Sequence, residues 1–494
     1  MEFIRGEGRD QIIFMPECVD DYIGENNAVR VLDAYINSLN LIELGFASAE
    51  LKDTGRPPYD PQDLLKLYVY GYMNRIRSSR RLEAETKRNL EVIWLLVKLS
   101  PDHKTIARFR HDNGTALKNV FRDFVRLCLQ LDLYGRELAA IDGSKFKAVN
   151  SRGRNFTKQQ IEDKITSITG KIDTYLQELE RNDTAENAAS GEKTKAEITQ
   201  IVSDLKGCQE RYRGYAKELE QTGDKQKSLT DPDSRLMTTN SKKMDVCYNV
   251  QTAVDTQNKL IVDFAVTNHA NDKNSITPMA TSVKALMGVE TIAVVTDAGY
   301  ESIQDIMAAM NQGVDVHVAG TDFDICVPAA EGEQTAITGH HNGRCVYIAD
   351  RNIALCPMGN VLYPKYHTKN SRDEKGVFFN YAACKKCANK CTKDVRGRCQ
   401  HHVPMAEADF TKEYNDQGLT VKQVRIKPDP ALVKQRKAII EHPFGTIKRA
   451  MDAGYCLTKG IRNVAGEFSL TFLAYNLKRA INILGCKKLI ESMA

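Results

Sequence analysis

Three acidic side chains define the chemistry that this sequence can be read for. Asp142 closes the apolar run "LAAI", and Asp297 follows "IAVV" and one threonine; each precedes a small residue. An aspartate at the end of a buried strand in an open α/β sheet faces the crevice where ligands bind. Two carboxylates in one crevice repel each other unless cations bridge them, and hard oxygen ligands suit Mg2+ or Mn2+. A pair of such ions roughly 3.5 to 4 Å apart serves in-line attack on a phosphodiester, and such a site usually takes a third carboxylate. Glu441 is the candidate, because "AIIEHPFGTIKRA" sets it near Arg436, Lys437, Lys448 and Arg449. Taken singly, each of the three acids reads as a cap or a surface charge; only the combination points to phosphodiester chemistry.

The cations support a polyanionic substrate. The 494-residue chain has a net charge of only +5, but residues 51–125 carry 15 Lys/Arg against 9 Asp/Glu, and residues 421–494 carry 14 against 5. Two separated basic regions suit a long polyanion such as DNA, since phosphate neutralisation with counterion release supplies sequence-independent affinity. No apolar run reaches the roughly 18 residues of a membrane span. "MEFIRGEGRD" lacks the apolar core of a signal peptide, so the expectation is a cytoplasmic chain with no membrane partner.

The elements that must position these residues follow from periodicity. "DPQDLLKLYVYGYMNRIRSSRRLEAETKRNLEVIWLLVKL" spaces its apolar residues as two helices broken near Arg77. "SPDHKTIARFRHDN" then offers Ser100 as N-cap, Pro101 at the first turn and a short helix bearing Lys104, Arg108 and Arg110. This arrangement reads as helix-turn-helix-like, with those three cations as DNA contacts. Residues 157–230 hold two runs near heptad spacing around "RNDTAENAASGEKTK", an inserted antiparallel coiled-coil arm. "DVCYNVQTAVDTQNKLIVDFAVTN" reads as a hairpin, a capped helix is expected from Asn271-Asp272 to Met287, and strand, helix and strand follow to residue 320.

Thirteen cysteines in a cytosolic chain argue for thiols rather than disulfides. Within an irregular segment, 321–430, Cys356, Cys384, Cys387 and Cys391 suit a tetrahedral structural Zn2+, with Cys399, His401 or His402 as substitutes.

"AIDGSKFKA", "TDAGY" and "EHPFGTIKR", in this order, resemble the three acidic motifs of the DDE transposases of bacterial insertion sequences. "GRPPYDPQDLLKLYVYGYMNRIRSSRRLE" with "SPDHKTIARFRHDN" resembles the N-terminal domain of one such transposase group. The resemblance implies an RNase H-like catalytic core, a mixed five-stranded sheet with helical covers, and a triad of Asp142, Asp297 and Glu441 holding two Mg2+ or Mn2+. It implies double-stranded DNA partners, the terminal inverted repeats and the target, and a homodimer or larger synaptic assembly. Relatives carry Tyr-x2-Arg-x3-Glu-x6-Lys on the third helix. Here Glu441 and Lys448 keep the spacing, making Lys448 the implied DNA contact, while Lys434 and Lys437 replace the tyrosine and arginine and Arg436 lies one residue away. Lysine lacks the planar fork of arginine for bidentate phosphate binding.

The organisation expected is therefore an all-helical DNA-binding domain at 1–135, a catalytic core at 136–156 and 231–320, the arm at 157–230, a Cys-rich insertion at 321–430, and core-completing helices at 431–494. The competing readings are a transposase-derived, sequence-specific DNA-binding protein without cleavage and a metal-dependent nuclease without strand transfer.

Overall fold

The computed structural model describes residues 18–46, 58–184, 195–239, 242–329, 337, 342–369, 374–389, 391, 400–404 and 413–493. Within them a helical N-terminal region leads into a mixed α/β region. Helices α1 (Ala28–Asn37), α2 (Pro61–Met73), α3 (Ser79–Glu85), α4 (Leu90–Leu95), α5 (His103–Asp112) and α6 (Gly114–Gln130) come first. The stretch expected as two helices is three, because α2 ends at Met73 and Asn89 starts α4 by accepting from the Glu91 and Val92 N–H groups. The next cap also differs from expectation. Asp102, not Ser100, accepts from Lys104 N–H at 2.8 Å and Thr105 N–H at 3.1 Å, since a carboxylate at that position reaches two open N–H groups of the first turn.

Strand β1 (Leu138–Lys147) starts the sheet, and Leu138 to Ile141 are all buried, as a strand covered on both faces requires. A short pair, β2 (Asn155–Thr157) with β3 (Gln226–Ser228), brackets α7 (Lys158–Thr184) and α8 (Lys195–Thr222). These two helices run antiparallel, with Ile168, Ile172, Ile198 and Val202 between them and Gln209 donating to Thr169 across the seam. Next come β4 (Arg235–Thr238), β5 (Met244–Asp255), β6 (Ile261–Thr267), α9 (Ile276–Met287), β7 (Ile292–Thr296), α10 (Ile303–Asn311) and β8 (Val314–Val318). The expected helix from Asn271-Asp272 starts instead at Ile276, and Asp272 stays in the preceding loop.

β5 pairs antiparallel with β1, β7 pairs parallel with β1 and β8 parallel with β7, while β4 and β6 both pair with β5. The main sheet therefore has six strands rather than the five expected. β5 is 12 residues long, so its outer edge takes β4 against Met244 to Cys247 and β6 against Asn249 to Val254 in tandem.

The segment expected to be irregular has sheets of its own. β9 (Phe323–Pro328) pairs with β15 (Val421–Ile426). Between them, β10 (Val346–Ile348), β11 (Ile353–Leu355), β12 (Val361–Lys369), β13 (Glu374–Phe379) and β14 (His401–Pro404) form an antiparallel sheet, with α11 (Tyr381–Lys386) beside it.

Three more helices close the chain: α12 (Pro430–Gly445), α13 (Ile461–Leu484) and α14 (Cys486–Glu491). α13 is buried on almost every side, packing on α2, α6 and β6, as an all-round apolar helix must. Its Asn476 accepts from Ile261 N–H and donates to Ile261 C=O, satisfying the free edge of β6. Buried Glu467 accepts from Leu457 N–H and Thr458 N–H, and Arg77, 3.7 Å from Glu467, donates to Tyr455 C=O. One hydrophobic core thus joins the N-terminal helices, the sheet and α13.

Candidate active site

The site lies beneath α12, where β7 ends; Asp142, expected to close its strand, is instead the fifth of ten residues of β1, which runs on to Lys147 because β5 keeps pairing with it. Asp142 sits opposite Thr252 of β5, two residues beyond the last parallel pair of β1 with β7, Ala140 with Val295. Asp297 follows β7 directly and caps the next turn, accepting from Gly299 N–H at 2.9 Å. Burial first, then the nearby Asp297 carboxylate, push the Asp142 carboxyl up to about 6, with Arg436 partly offsetting. The Asp297 charge thus opposes ionisation of Asp142, which is the electrostatic condition a divalent cation relieves.

Glu441 comes from the opposite wall. α12 starts at Asp429, whose side chain accepts from Ala431 N–H, and has Pro430 at its first position. It packs across β1, β7 and β5. Proline at 443, inside the helix, has no N–H to donate, and a π-helical turn follows over Thr446–Ala450. Asp142 and Glu441 line one cavity of about 600 Å³, together with Arg436, Lys437, Lys448 and Arg449.

The cations there have distinct partners. Arg436 lies 3.7 Å from Asp142, and Lys437 lies 3.7 Å from Glu441 one turn along the helix. The Lys448 ammonium, expected as a DNA contact, reaches the sheet instead: it donates to Ser144 Oγ and to Lys145 C=O, over the Phe146 ring at 4.5 Å. The π-turn turns this side chain back onto β1, and burial lowers its pKa. Arg449 is exposed.

In the N-terminal region, Lys104 and Arg108 line a second cavity, of about 650 Å³, with Tyr59, Asp102 and Asp112. Arg110, the third cation expected to meet DNA there, is buried: it donates to Tyr72 OH at 3.0 Å and stacks over Tyr68. Helical periodicity turns it inward, one residue beyond buried Phe109 and four beyond Ile106.

The cysteines gather only in part: Cys356, Cys384 and Cys391 lie near enough to Cys345 for their charges to act on its thiol, and Cys387 is not among them. Cys356 and Cys384 are buried, but Cys387 Sγ donates to Asn389 C=O at 3.4 Å. Cys345, outside the expected set, lies 3.4 Å from His401 Nδ1, while Cys391 lies 3.8 Å from Nε2 on the other side of that ring. Two sulfurs on opposite ring nitrogens do not share one tetrahedral centre. Among the described residues no group of three or more His, Cys, Asp or Glu side chains is arranged to hold a metal ion: the zinc expectation has no support there, and Asp142, Asp297 and Glu441 are not gathered into one ligand set either, since Asp297 does not line the cavity that Asp142 and Glu441 share. Cys399 lies outside the described residues; His402 is in β14.

Two residues of the site carry no sequence signal of their own. Asp272 accepts at Oδ1 from Gln251 Nε2 at 2.6 Å, Asn249 Nδ2 at 2.7 Å and Lys145 Nζ at 3.1 Å. Tyr300 is fully buried and donates to Gln251 Oε1; burial, then the charges of Asp272, Asp142 and Asp297, hold its hydroxyl above its ordinary range. The "TDAGY" motif contains Tyr300, but only the fold shows that it lies among three acids.

Two family models match this chain: Transposase domain (DUF772) over residues 17–112, and Transposase DDE domain over residues 355–481. The first spans α1 to α5, and the second contains Glu441 and Lys448 but neither strand-end aspartate. Both matches support the DDE transposase of an insertion sequence that the motifs imply, one over the N-terminal helices and one over the C-terminal part of the chain. No curated protein matches it. Among solved structures, the cryo-EM structure of piggyBac transposase synaptic complex with hairpin DNA is similar at 9% identity, over 95% of this chain and 79% of that one. Its TM-score of 0.28 is too low to bear on the fold. No helix among the described residues is long and apolar enough to cross a membrane.

Proposed function

We propose that this chain binds the terminal inverted repeats of an insertion sequence, hydrolyses a phosphodiester at the element end and transfers the freed 3′-hydroxyl strand to target DNA. One observation carries the reading: the charge of Asp297, just past β7, opposes ionisation of Asp142 on the neighbouring strand β1, and Glu441 lines the same cavity as Asp142 among four cations. The order β6-β5-β1-β7-β8, with β5 antiparallel to β1, supports an RNase H-like core, to which β4 is an added edge. The domain boundaries given from sequence are part of the same proposal.

Oxygen donors that repel one another fit a hard divalent cation, so Asp142, Asp297 and Glu441 are the residues that would hold Mg2+ or Mn2+. When bound, two such ions supply charge neutralisation at the phosphate and activation of the attacking oxygen. The chain's own residues do the rest. Arg436, Lys437 and Arg449 bind backbone phosphates along the cavity, and the Arg436 fork alternates between Asp142 and a phosphate. Lys448 holds the third helix against Ser144, fixing the height of Glu441 over the sheet. Lys104 and Arg108 bind element-end DNA on the N-terminal helices. Bringing two ends together calls for a homodimer or larger assembly.

Labelled element-end DNA is the test: nicking and joining should require Mg2+ or Mn2+ and disappear in Asp142→Ala and Glu441→Ala. Full cleavage by either variant would sink the assignment. The reading without cleavage draws on the ion pairs that occupy Asp142 and Glu441 and on the exposure of Glu441. Tight DNA binding with no divalent-dependent product would favour it, and products without joining would favour a nuclease.

A further inference from the structure

The site contains a fourth carboxylate that the acidic motifs do not include. Asp272 lies between β6 and α9, and its side chain is only 18% exposed. Lys145, 9% exposed, lies 3.1 Å from both of its oxygens, and Asn249 and Gln251 donate to Oδ1. All three partners come from the paired strands β1 and β5, where Lys145 faces Asn249 and Gly143 faces Gln251. Only glycine fits at 143: a Cβ there would collide with Asp272 Oδ1 and Gln251 Nε2. Asp272 also borders the second strand-end acid. A Cβ added at Gly299 would lie 3.0 Å from Asp297 Oδ1 and 3.8 Å from Asp272 Oδ2.

This arrangement holds a buried ammonium one carboxylate away from the pair expected to bind divalent cations. Lys145 follows Asp142 by three residues on β1 and so leaves the opposite face of the strand, where Asp272 holds it; Asp272 in turn borders Gly299 beside Asp297. If Asp272 lost its charge, Lys145 would be left as an uncompensated, nearly buried ammonium, and its positive field would oppose a divalent cation at the acids beside Asp272.

We propose that Asp272 is a positioning residue, which ties Lys145 back against β1 and β5 and so keeps the Asp142–Asp297 pair free for a divalent cation. The proposal rests on the reading of that pair as the cation site.

Mn2+ binding to the full chain without DNA, measured by titration calorimetry at neutral pH with folding checked by thermal melting, tests it. Asp272→Asn should weaken Mn2+ binding on the order of ten-fold. The double variant Asp272→Asn/Lys145→Met should recover most of that loss, because the competing ammonium is gone. A merely structural Asp272 would lower the melting temperature and leave Mn2+ affinity unchanged, overturning the proposal. An Asp272 that ligates the cation itself would give no recovery in the double variant, also overturning it. Asp142→Asn and Asp297→Asn serve as controls: if neither weakens Mn2+ binding, the site reading falls and the proposal falls with it. Weakening in those two but not in Asp272→Asn removes the positioning role alone.

Discussion

The two walls of the candidate site are built differently. On the sheet wall, Asp142, Asp297 and Asp272 stand at strand ends or against paired strands, bonded to backbone N–H groups or to side chains of the ladder. On the helix wall, Glu441 is 67% exposed and its neighbour Lys437 74%. Burial makes charge expensive on the first wall and water screens it on the second. The same side-chain chemistry therefore perturbs the fold on one side and leaves it almost untouched on the other. The sheet wall supplies fixed geometry, and the helix wall supplies a carboxylate and cations that a phosphate backbone can engage.

Substitution of the acids should show this most strongly. Asp142→Ala and Glu441→Ala should each lower divalent-dependent cleavage of element-end DNA by about a thousand-fold or more, the scale of losing a preorganised electrostatic group. Denaturation should then separate the two walls: Glu441→Gln should stay within about 0.5 kcal/mol of the parent, as exposed substitutions do. A large stability loss in Glu441→Gln would break the comparison.

Two glycines give the next contrast. Gly143→Ala should destabilise by about 2 to 3 kcal/mol in urea unfolding, because the methyl collides with Asp272 and Gln251 in a packed region. Gly445→Ala should be neutral or stabilising by up to about 1 kcal/mol, since Gly445 has helical angles (φ −62°, ψ −46°) and nothing lies within 4 Å of an added Cβ.

The pH dependence follows from Asp142. Its folded carboxyl titrates at about 6 against an ordinary value of 3.8, so between those values the folded chain holds a proton that the unfolded chain has lost. Its contribution to stability is complete below about pH 4 and is lost as pH rises through 6. Metal-free Asp142→Asn should accordingly be more stable than the parent by about 2 kcal/mol at pH 7, the gap closing towards pH 4, as read from urea midpoints at each pH. Mn2+ binding should weaken below about pH 6 as the carboxylate takes up its proton.

The smallest effect belongs to the Lys437–Glu441 pair. Lys437→Ala should change folding stability by less than about 0.5 kcal/mol, while reducing DNA affinity and its salt dependence. A stability loss as large as that of Gly143→Ala would mean that the helix wall is as tightly bound into the fold as the sheet wall.

Much of this was legible in the sequence. Continuous apolar runs mark interior strands, so "LAAI" and "IAVV" identify β1 and β7, and Asp297 does follow β7; but β1 continues along β5 to Lys147, so Asp142 stands mid-strand, past the end of its parallel pairing with β7. The all-round apolar "EFSLTFLAYNLKRAINIL" identifies the buried α13. The hairpin of β5 and β6 and the paired long helices α7 and α8 also follow local pattern. What failed depended on distance in the chain. The strands between 321 and 430 are short and pair across gaps that local periodicity does not record. Arg110 looks like a surface cation until α2 brings Tyr68 and Tyr72 over it.

The sequence by itself determined the chemistry on offer: which strands bring carboxylates, which helix carries Glu441 among cations, and which regions are basic. These are set by residue type and local period. Only the tertiary structure decided how the groups are partnered. It turned Lys448 onto Ser144, buried Arg110, and brought Asp272 from a loop between β6 and α9 to within hydrogen-bonding reach of Lys145, 127 residues earlier in the chain. Hydrogen bonds and ion pairs are set by separation in space, and when the strands that carry them are joined through a long intervening arm, no local pattern in the chain encodes that separation.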